Sequence, residues 1–452
     1  MTLRRKRHPV VLYQPRDEGA TMPLGLLAVG SSLSEAHVVV VDGRFELAPE
    51  ARVVELAREA SLLGVNVRTG DPLRDALRVS AAARTANPAL AIVWGGPHAT
   101  YAPESCLSAG VVDACARGAG EATLAAAVRC AREGGRLELA GVPGLVTRGG
   151  IVTRPLSPPA AERTPPAVYS LLDVERVFEV RGSRRLDYCA SRGARGGATR
   201  WTGFPAERVL AEVGELAERY RLGEVLFQDE DFFADPERAR AIAVGLADGA
   251  ARLGWQASAR ASDVVALADE GLRALVAGGC HRLRLTVPPG VAAEAREQVL
   301  EAGARLHARG LAARFEILVA EAGARGAVLA AAVSLASSLS ALDGRFETPL
   351  RRLAPVPPWW QGGADDGGLE QWVARANGPW PDARAERRLE RASFFFREAQ
   401  RAPGRRIGQH LLRLAALLRV RLGFFGLDLE RAVVEASALL RTGRPRPGSR
   451  PD

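Results

Sequence analysis

Residues 88–104 read PALAIVWGGPHATYAPE, and the first decision about the fold rests on them. Ala91 to Trp94 is an apolar run of strand length, of the kind buried on both faces in a parallel sheet. It stops at Gly95-Gly96-Pro97, a turn signal that ends a strand, and His98 follows. The same unit repeats on either side. Pro9 to Tyr13, His37 to Asp42 and Leu62 to Val67 read as strands. The third of these runs into the loop Arg68-Thr69-Gly70-Asp71-Pro72. Val111 to Ala116 is a fifth strand, ending in Arg117-Gly118-Ala119-Gly120-Glu121. Helical patterns fill 23–34, 49–60 and 72–86, so strand and helix alternate as in a parallel α/β domain. Gly-rich and polar loops at 14–25, 68–72, 95–100 and 117–123 all follow strands. That is the carboxyl edge, where helix N-termini and backbone N–H groups of open α/β sheets converge on ligands. The chain lacks G-x-G-x-x-G, which argues against a nicotinamide cofactor.

Composition narrows the class. At 452 residues the chain is long enough for two or three domains of roughly 100–200 residues each. Its 47% apolar and 25% charged content is that of a globular protein. The net charge of +9 comes from 61 Lys and Arg against 52 Asp and Glu. That excess is scattered, with no basic run interleaved with aromatics, so no nucleic-acid partner is expected. Five cysteines (Cys106, Cys115, Cys130, Cys189, Cys280) form no C-x-x-C pair and no disulfide framework. The basic start carries only Val10 to Tyr13 as an apolar run, too short for a signal peptide. No stretch of about 18 apolar residues exists to span a membrane. The expected location is cytoplasmic.

Four segments carry a family resemblance: VNVRTG (Val65 to Gly70), Pro88 to Glu104, ARGAGEAT (Ala116 to Thr123) and VPGLVTRGG (Val142 to Gly150). In order and spacing they resemble the N-terminal domain of cobalamin-binding radical S-adenosylmethionine (radical SAM) proteins. The resemblance implies that residues 1–150 form a Rossmann-like domain with cobalamin over its carboxyl edge. It places Thr69, Gly70, Gly95, Gly96, His98, Gly118, Gly120 and Glu121 at the cofactor. As in that family, the D-x-H-x-x-G motif of a lower axial His is missing: Asp42-Gly43-Arg44 has no His two residues after the Asp. Ala119 departs from the family's usual Glu. His98 has two readings, contact with the cobalamin tail or hydrogen-bonded capping of the Gly-Gly-Pro turn. Cobalt ligation is not one of them.

After a Pro/Ala/Arg-rich linker (151–182), alternation resumes. Strands are expected at 186–190, 224–228, 255–258, 282–286 and 313–319, with helices at 205–220, 236–251, 262–277, 291–309 and 324–339. The resemblance makes residues 183–355 a partial (β/α)6 radical-SAM-like barrel. Its cluster loop lies in LDYCASRGARGGATRW (Leu186 to Trp201). The family's three cysteines, spaced C-x3-C-x2-C, fall here on Ala194, Ala198 and Trp201. None of these offers the thiolate that an iron–sulfur cluster needs, so a [4Fe–4S] cluster is expected to be absent. Two later ligand loops also depart from the family, at Leu285 to Gly290 and Leu318 to Gly323, which puts S-adenosylmethionine in doubt as a cofactor. Trp201 is expected to fill the vacated volume. Arg192, Arg195 and Arg200 are candidates for an anionic ligand. Asp229, Glu230 and Asp231 stand at a strand's carboxyl end, either as acid or base groups or as solvated acids of a helix-entry loop. Asp229 and Asp231 are the catalytic candidates.

Residues 356–452 open on a Pro/Trp-rich loop with Trp359 and Trp360 and continue as an Arg-rich helical tail. The segment around 405–422 is expected to cap the barrel, with peripheral membrane contact as the alternative. The function expected is cobalamin use in specialised-metabolite or tetrapyrrole tailoring by non-radical chemistry such as methyl transfer. The partner is then a small-molecule substrate. The alternative is a silent cobalamin carrier, scaffold or sensor that partners a cluster-bearing paralogue.

Overall fold

The computed structural model describes residues 8–17, 21–134, 136–148, 164–196, 200–249, 253–290, 293–320, 326–352, 384–385 and 387–392. The chain divides into two units. The first holds residues 1–287, 293–315 and 354–379; the second holds 288–292, 316–353 and 380–452.

In the first unit, β1 (Val10–Gln14), β2 (Val38–Asp42), β3 (Leu62–Asn66), β4 (Ala91–Gly95) and β5 (Ala114–Ala116) pair in parallel, in the order β2-β1-β3-β4-β5. Side chains alternate across the sheet. Val11, Tyr13, Leu63, Val65, Ile92 and Trp94 face one layer, with Val53, Ala76 and Val79 from helices Pro49–Ala57 and Asp71–Ala86. Val10, Leu12, Leu62, Ala91 and Val93 face the other, with Leu26, Leu124 and Ala127 from helices Leu24–Ser31 and Glu121–Gly134. Both faces are covered, which is why these strands are continuous apolar runs. The expected Rossmann-like α/β domain is borne out. A sixth strand, β6 (Leu145–Thr147), adds antiparallel to β5. The sequence reading has no strand there, because three residues show no periodicity.

Farther along the same unit, β7 (Arg185–Tyr188) is followed by a two-residue antiparallel pair, β8 (Ser191–Arg192) with β9 (Thr202–Gly203). β10 (Glu224–Phe227), β11 (Gly254–Ala259) and β12 (Cys280–Val287) then extend β7 into a second parallel sheet, in the order β7-β10-β11-β12. Tyr188, Phe227, Phe232 and Trp255 pack together there, with ring centroids 4.8 to 6.1 Å apart.

The single helix expected at 262–277 is two, Ala261–Ala266 and Asp269–Ala277. Leu267 and Ala268 between them are extended. Arg305, from helix Ala293–Ala308, donates to the carbonyls of Val264 at 2.9 Å and Leu267 at 2.5 Å, taking acceptors that a continuous helix would have used internally. Arg305 is about 40 residues away in sequence, so local periodicity could not reveal the break.

β13 (Ala312–Val319) begins in the first unit. In the second unit its end, Ile317 to Val319, pairs in parallel with β14 (Leu350–Arg352) across the helix Gly326–Leu342. Residues 384–385 and 387–392 are helical. Ala198, the Glu321 to Gly323 loop, Trp359, Trp360 and the segment 405–422 lie outside the described residues. Among the described residues, no helix is long and apolar enough to cross a membrane.

Trp94 is fully buried and donates its indole N–H to the buried Ser80 hydroxyl at 3.1 Å. Trp94→Ala should therefore lower stability by about 3–5 kcal/mol, measured as an earlier urea midpoint by circular dichroism.

Candidate functional site

The carboxyl ends of β3, β4 and β5 in the first sheet, and of β7 and β10 in the second, border one cavity of about 440 Å3. The first sheet and its helices supply a mostly apolar floor, in which Gly95, Gly96, Gly118 and Gly120 stand with Asn66 among side chains such as Leu12, Val29, Val93 and Leu124. Two of these glycines are required by the backbone. Gly96 has φ +91°, and a Cβ there would collide with the Asn66 side chain and lie 2.9 Å from the Val67 carbonyl. Gly118 has φ +73° and opens onto free space, as only glycine does without strain. Thr100 stitches the two loops together. Its hydroxyl donates to the Gly96 carbonyl at 2.9 Å and accepts from the Gly118 N–H at 3.1 Å.

The opposite wall is polar and comes from Cys189, Ser191, Arg192, Gln228, Asp229 and Glu230. Arg192 reaches across to Glu121 at the start of helix Glu121–Gly134, forming an ion pair through Oε1. Glu121 Oε2 is buried and has no hydrogen-bond partner among the described residues. A carboxylate oxygen left so is costly unless a ligand donates to it. Farther round, Glu212 Oε2 accepts from the Tyr188 hydroxyl at 2.7 Å, and Glu212 Oε1 accepts from Arg208 Nε at 2.7 Å.

Asp229 and Asp231 sit two residues apart in very different settings. Asp229 lines the cavity and is 3% exposed. It accepts a short hydrogen bond from the Ser191 hydroxyl and another from the Ala190 N–H at 3.0 Å. Burial raises its carboxyl above the ordinary carboxylate value, and the two donors only partly offset this. Asp231 does not line the cavity. Its burial alone would raise the carboxyl, but hydrogen bonds from Arg195 and the charge of Arg260 hold it below the usual range. Arg195 and Arg260 approach its oxygens at 2.7 and 2.6 Å. Cys189 is pushed well up by burial and then by Asp229, so it remains a thiol.

The structure brings Gly95, Gly96, Gly118, Gly120, Glu121 and Asp229 to one cavity and leaves Thr69, Gly70, His98 and Asp231 off its wall. His98 is fully buried beneath the loop. Its Nδ1 lies 3.0 Å from the Thr69 hydroxyl. Thr69 is thus turned to His98, and Gly70 (φ +109°) serves the entry to helix Asp71–Ala86. Arg192 and Arg195, candidates for an anion, are ion-paired with Glu121 and with Asp231 and Asp263. Asn66, Thr100, Ser191 and the Tyr188–Glu212–Arg208 group carried no signal in the sequence. Each is an ordinary polar residue whose importance comes from its neighbours. Ala194 lines the cavity, whereas Trp201 packs away from it against Gly203 and Arg238. Among the described residues, no cluster of three or more His, Cys, Asp or Glu could hold a metal ion.

Known proteins share this architecture. Residues 17–128 match the model of the B12 binding domain. A Pyrococcus horikoshii protein named as an uncharacterized methyltransferase is 28% identical over 278 residues, which is 57% of this chain and 59% of that protein. Among solved structures, the radical S-adenosylmethionine methyltransferase TsrM from Kitasatospora setae, with tryptophan substrate and a SAM analog bound, superposes with a TM-score of 0.61. It is 18% identical, and the superposition covers 77% of this chain and 73% of that one. The cobalamin-dependent S-adenosylmethionine radical enzyme OxsB, with aqua-cobalamin and S-adenosylmethionine bound, gives a TM-score of 0.58 at 18% identity. That match covers 69% of this chain and 49% of OxsB. The chain therefore has the fold of these cobalamin-dependent radical SAM structures, and the resemblance seen in its sequence is borne out. The B12 binding domain match supports cobalamin as its cofactor.

Because Gly96 needs a left-handed backbone and has no room for a Cβ, Gly96→Ala should cost more than about 1 kcal/mol of stability, read as a shifted urea midpoint.

Proposed function

We propose that this protein binds cobalamin in the 440 Å3 cavity and transfers a methyl group to a small-molecule acceptor by polar, non-radical chemistry, without a [4Fe–4S] cluster. The observation carrying the reading is the asymmetry of the cavity: an apolar, glycine-containing floor on the B12-binding side, and a buried, hydrogen-bonded Asp229 on the other.

The residues present suit cobalamin. Gly95 and Gly118 leave space where a Cβ would meet at most Ala116 at 3.9 Å, room for a broad flat ring to lie against the backbone. Glu121 Oε2, buried and lacking a partner among the described residues, suits the amide N–H groups at the edge of such a ring. Gly95, Gly96, Gly118, Gly120 and Glu121 would hold the cofactor. When bound, cobalamin supplies a cobalt-carried methyl group in a form open to nucleophilic attack. The donor set for a cluster does not fit: Ala194 and Trp201 stand where thiolates are required, and Ala198 completes the trio in the sequence.

What remains for the chain is to orient the acceptor and manage one proton. Asp229 is placed to take the proton from the acceptor's nucleophilic atom. Burial lifts its carboxyl above the ordinary range, which makes it a stronger base than a solvated carboxylate when ionised. Ser191 and the Ala190 N–H fix both of its oxygens, so the group is oriented before the acceptor arrives. Gln228, also on the wall, offers an amide for positioning. Glu212 and Arg208 neutralise each other on the same wall. Asp231, fully engaged by two arginines, is not assigned a proton-transfer role.

Purified protein titrated with hydroxocobalamin should give a one-to-one bound spectrum, and anaerobic incubation with iron and sulfide should give no cluster absorption. Cluster assembly with S-adenosylmethionine cleavage would overturn the non-radical reading; failure to bind cobalamin would overturn the whole. Gly95 has no positive φ, so Gly95→Leu should fold normally yet weaken hydroxocobalamin binding at least tenfold by filling the floor.

Asp229→Asn keeps an acceptor and a donor for Ala190 and Ser191. It should leave cobalamin affinity unchanged while slowing methyl transfer by about 10²–10⁴-fold. A variant with full transfer activity would favour the carrier. The rate should rise with pH through a value above the ordinary Asp value of about 3.9, as Asp229 ionises. The linked stability runs the other way. With its folded pKa raised, Asp229 favours the fold below the unfolded value, and that contribution is lost as pH climbs through the folded one. At pH 8 the Asn variant should therefore be at least as stable as the parent, measured by thermal melting.

A further inference from the structure

The loop that lacks cluster cysteines is fastened at both ends to one residue. It leaves β8 after Arg192 and returns to β9 at Thr202. Near its start, Arg195 donates its backbone N–H to Asp231 Oδ2 at 2.8 Å, and its guanidinium reaches Oδ1 at 2.7 Å. At its end, Trp201 Nε1 donates to the Asp231 carbonyl at 3.0 Å. Arg260, in the loop after β11, closes the group by donating to Asp231 Oδ2 at 2.6 Å and to the Arg195 carbonyl at 3.1 Å. The same Arg195 Nη2 also reaches both carboxylate oxygens of Asp263, at 2.9 and 2.8 Å.

Asp231 itself is rigidly placed. Its side chain is 1% exposed, and the next two residues, Phe232 and Phe233, are buried in the aromatic core of the second sheet. The hub is therefore carried by the core, and the loop hangs from it. Its hydrogen bonds are charge-assisted and several share one carboxylate, which gives fixed directions as well as strength. This matters for the cavity, because Ser191, Arg192, Gly193 and Ala194, just before the first attachment, form part of its wall.

We propose that Asp231 is the positioning residue of this site. Its carboxylate and carbonyl hold Arg195 and Trp201, on either side of the loop, by ion pairs and hydrogen bonds, in the role that metal–thiolate bonds would serve in a cluster-bearing loop. The cavity wall is then set without any metal. The inference rests on the reading that this loop carries no cluster, and it adds what orders the loop instead.

The test is hydrogen exchange by mass spectrometry on the full chain, free of iron and cobalamin, following peptides that span 190–203. In the parent protein the Arg195 amide should be protected. Asp231→Ala should speed its exchange at least tenfold, with peptides from β1 to β5 unchanged. Asp231→Asn, which retains an acceptor but no charge, should fall between. Should Asp231→Ala fail to fold, Arg195→Met and Trp201→Phe each remove one attachment from the loop side and should each speed exchange in the same peptides. Unchanged exchange in these variants, with no iron taken up, would overturn the positioning role alone. Protection that arises only after iron and sulfide are added would overturn both this role and the cluster-free reading.

Discussion

Parallel strand pairing is the constraint from which the rest of this molecule follows. β1 pairs in parallel with β2 and with β3, and β3 with β4, so every crossover helix returns the chain to the same end of the sheet. The loops after β3, β4 and β5 therefore gather at one edge, although 28 residues separate Asn66 from Trp94 in the chain. The second sheet obeys the same rule through β7, β10 and β11. Each edge collects backbone N–H groups and the residues that turn the chain, and both contribute walls to one cavity.

The division of labour in that cavity follows from what each edge had to satisfy. Loops of the first sheet turn through glycines with positive φ and hold themselves together by backbone and hydroxyl bonds, as Thr100 does for Gly96 and Gly118. Loops of the second sheet carry charge. Where two acids stand two residues apart, their surroundings drive them in opposite directions: burial beside neutral donors raises Asp229, and two guanidiniums lower Asp231. The first carboxyl faces the cavity, and the second is engaged by two arginines. At Asp231 the hydrogen bonds from Arg195, together with the charges of Arg260 and Arg195, outweigh desolvation.

The same contrast appears at the loop that lacks the three cysteines, whose described residues Arg195 and Trp201 are both tied to Asp231. Thiolate–metal bonds and charge-assisted hydrogen bonds are mechanically alike, since either set ties a loop to a fixed point. The network around Asp231 differs in drawing on residues of three loops, after β8, β10 and β11. It therefore joins segments at the edge of the second sheet as well as fastening one of them.

Much of the fold was legible in the sequence, since it depended on local pattern. Runs such as VVLYQ and AIVWG are apolar because both faces are covered, and each ends at a turn signal that the chain itself carries. Glycines at 95, 96, 118 and 120 announced the loops at the carboxyl edge for the same local reason. The sequence alone also determined that no thiolate stands at Ala194, Ala198 or Trp201. Tertiary structure decided what local pattern cannot encode. It turned His98 inward to Thr69, broke the helix at Leu267 by supplying Arg305, and gave Asp229 and Asp231 opposite surroundings. In each case the deciding partner lies 29 or more residues away in the chain. A side chain's composition says what it can bond, but only packing chooses which distant partner reaches it.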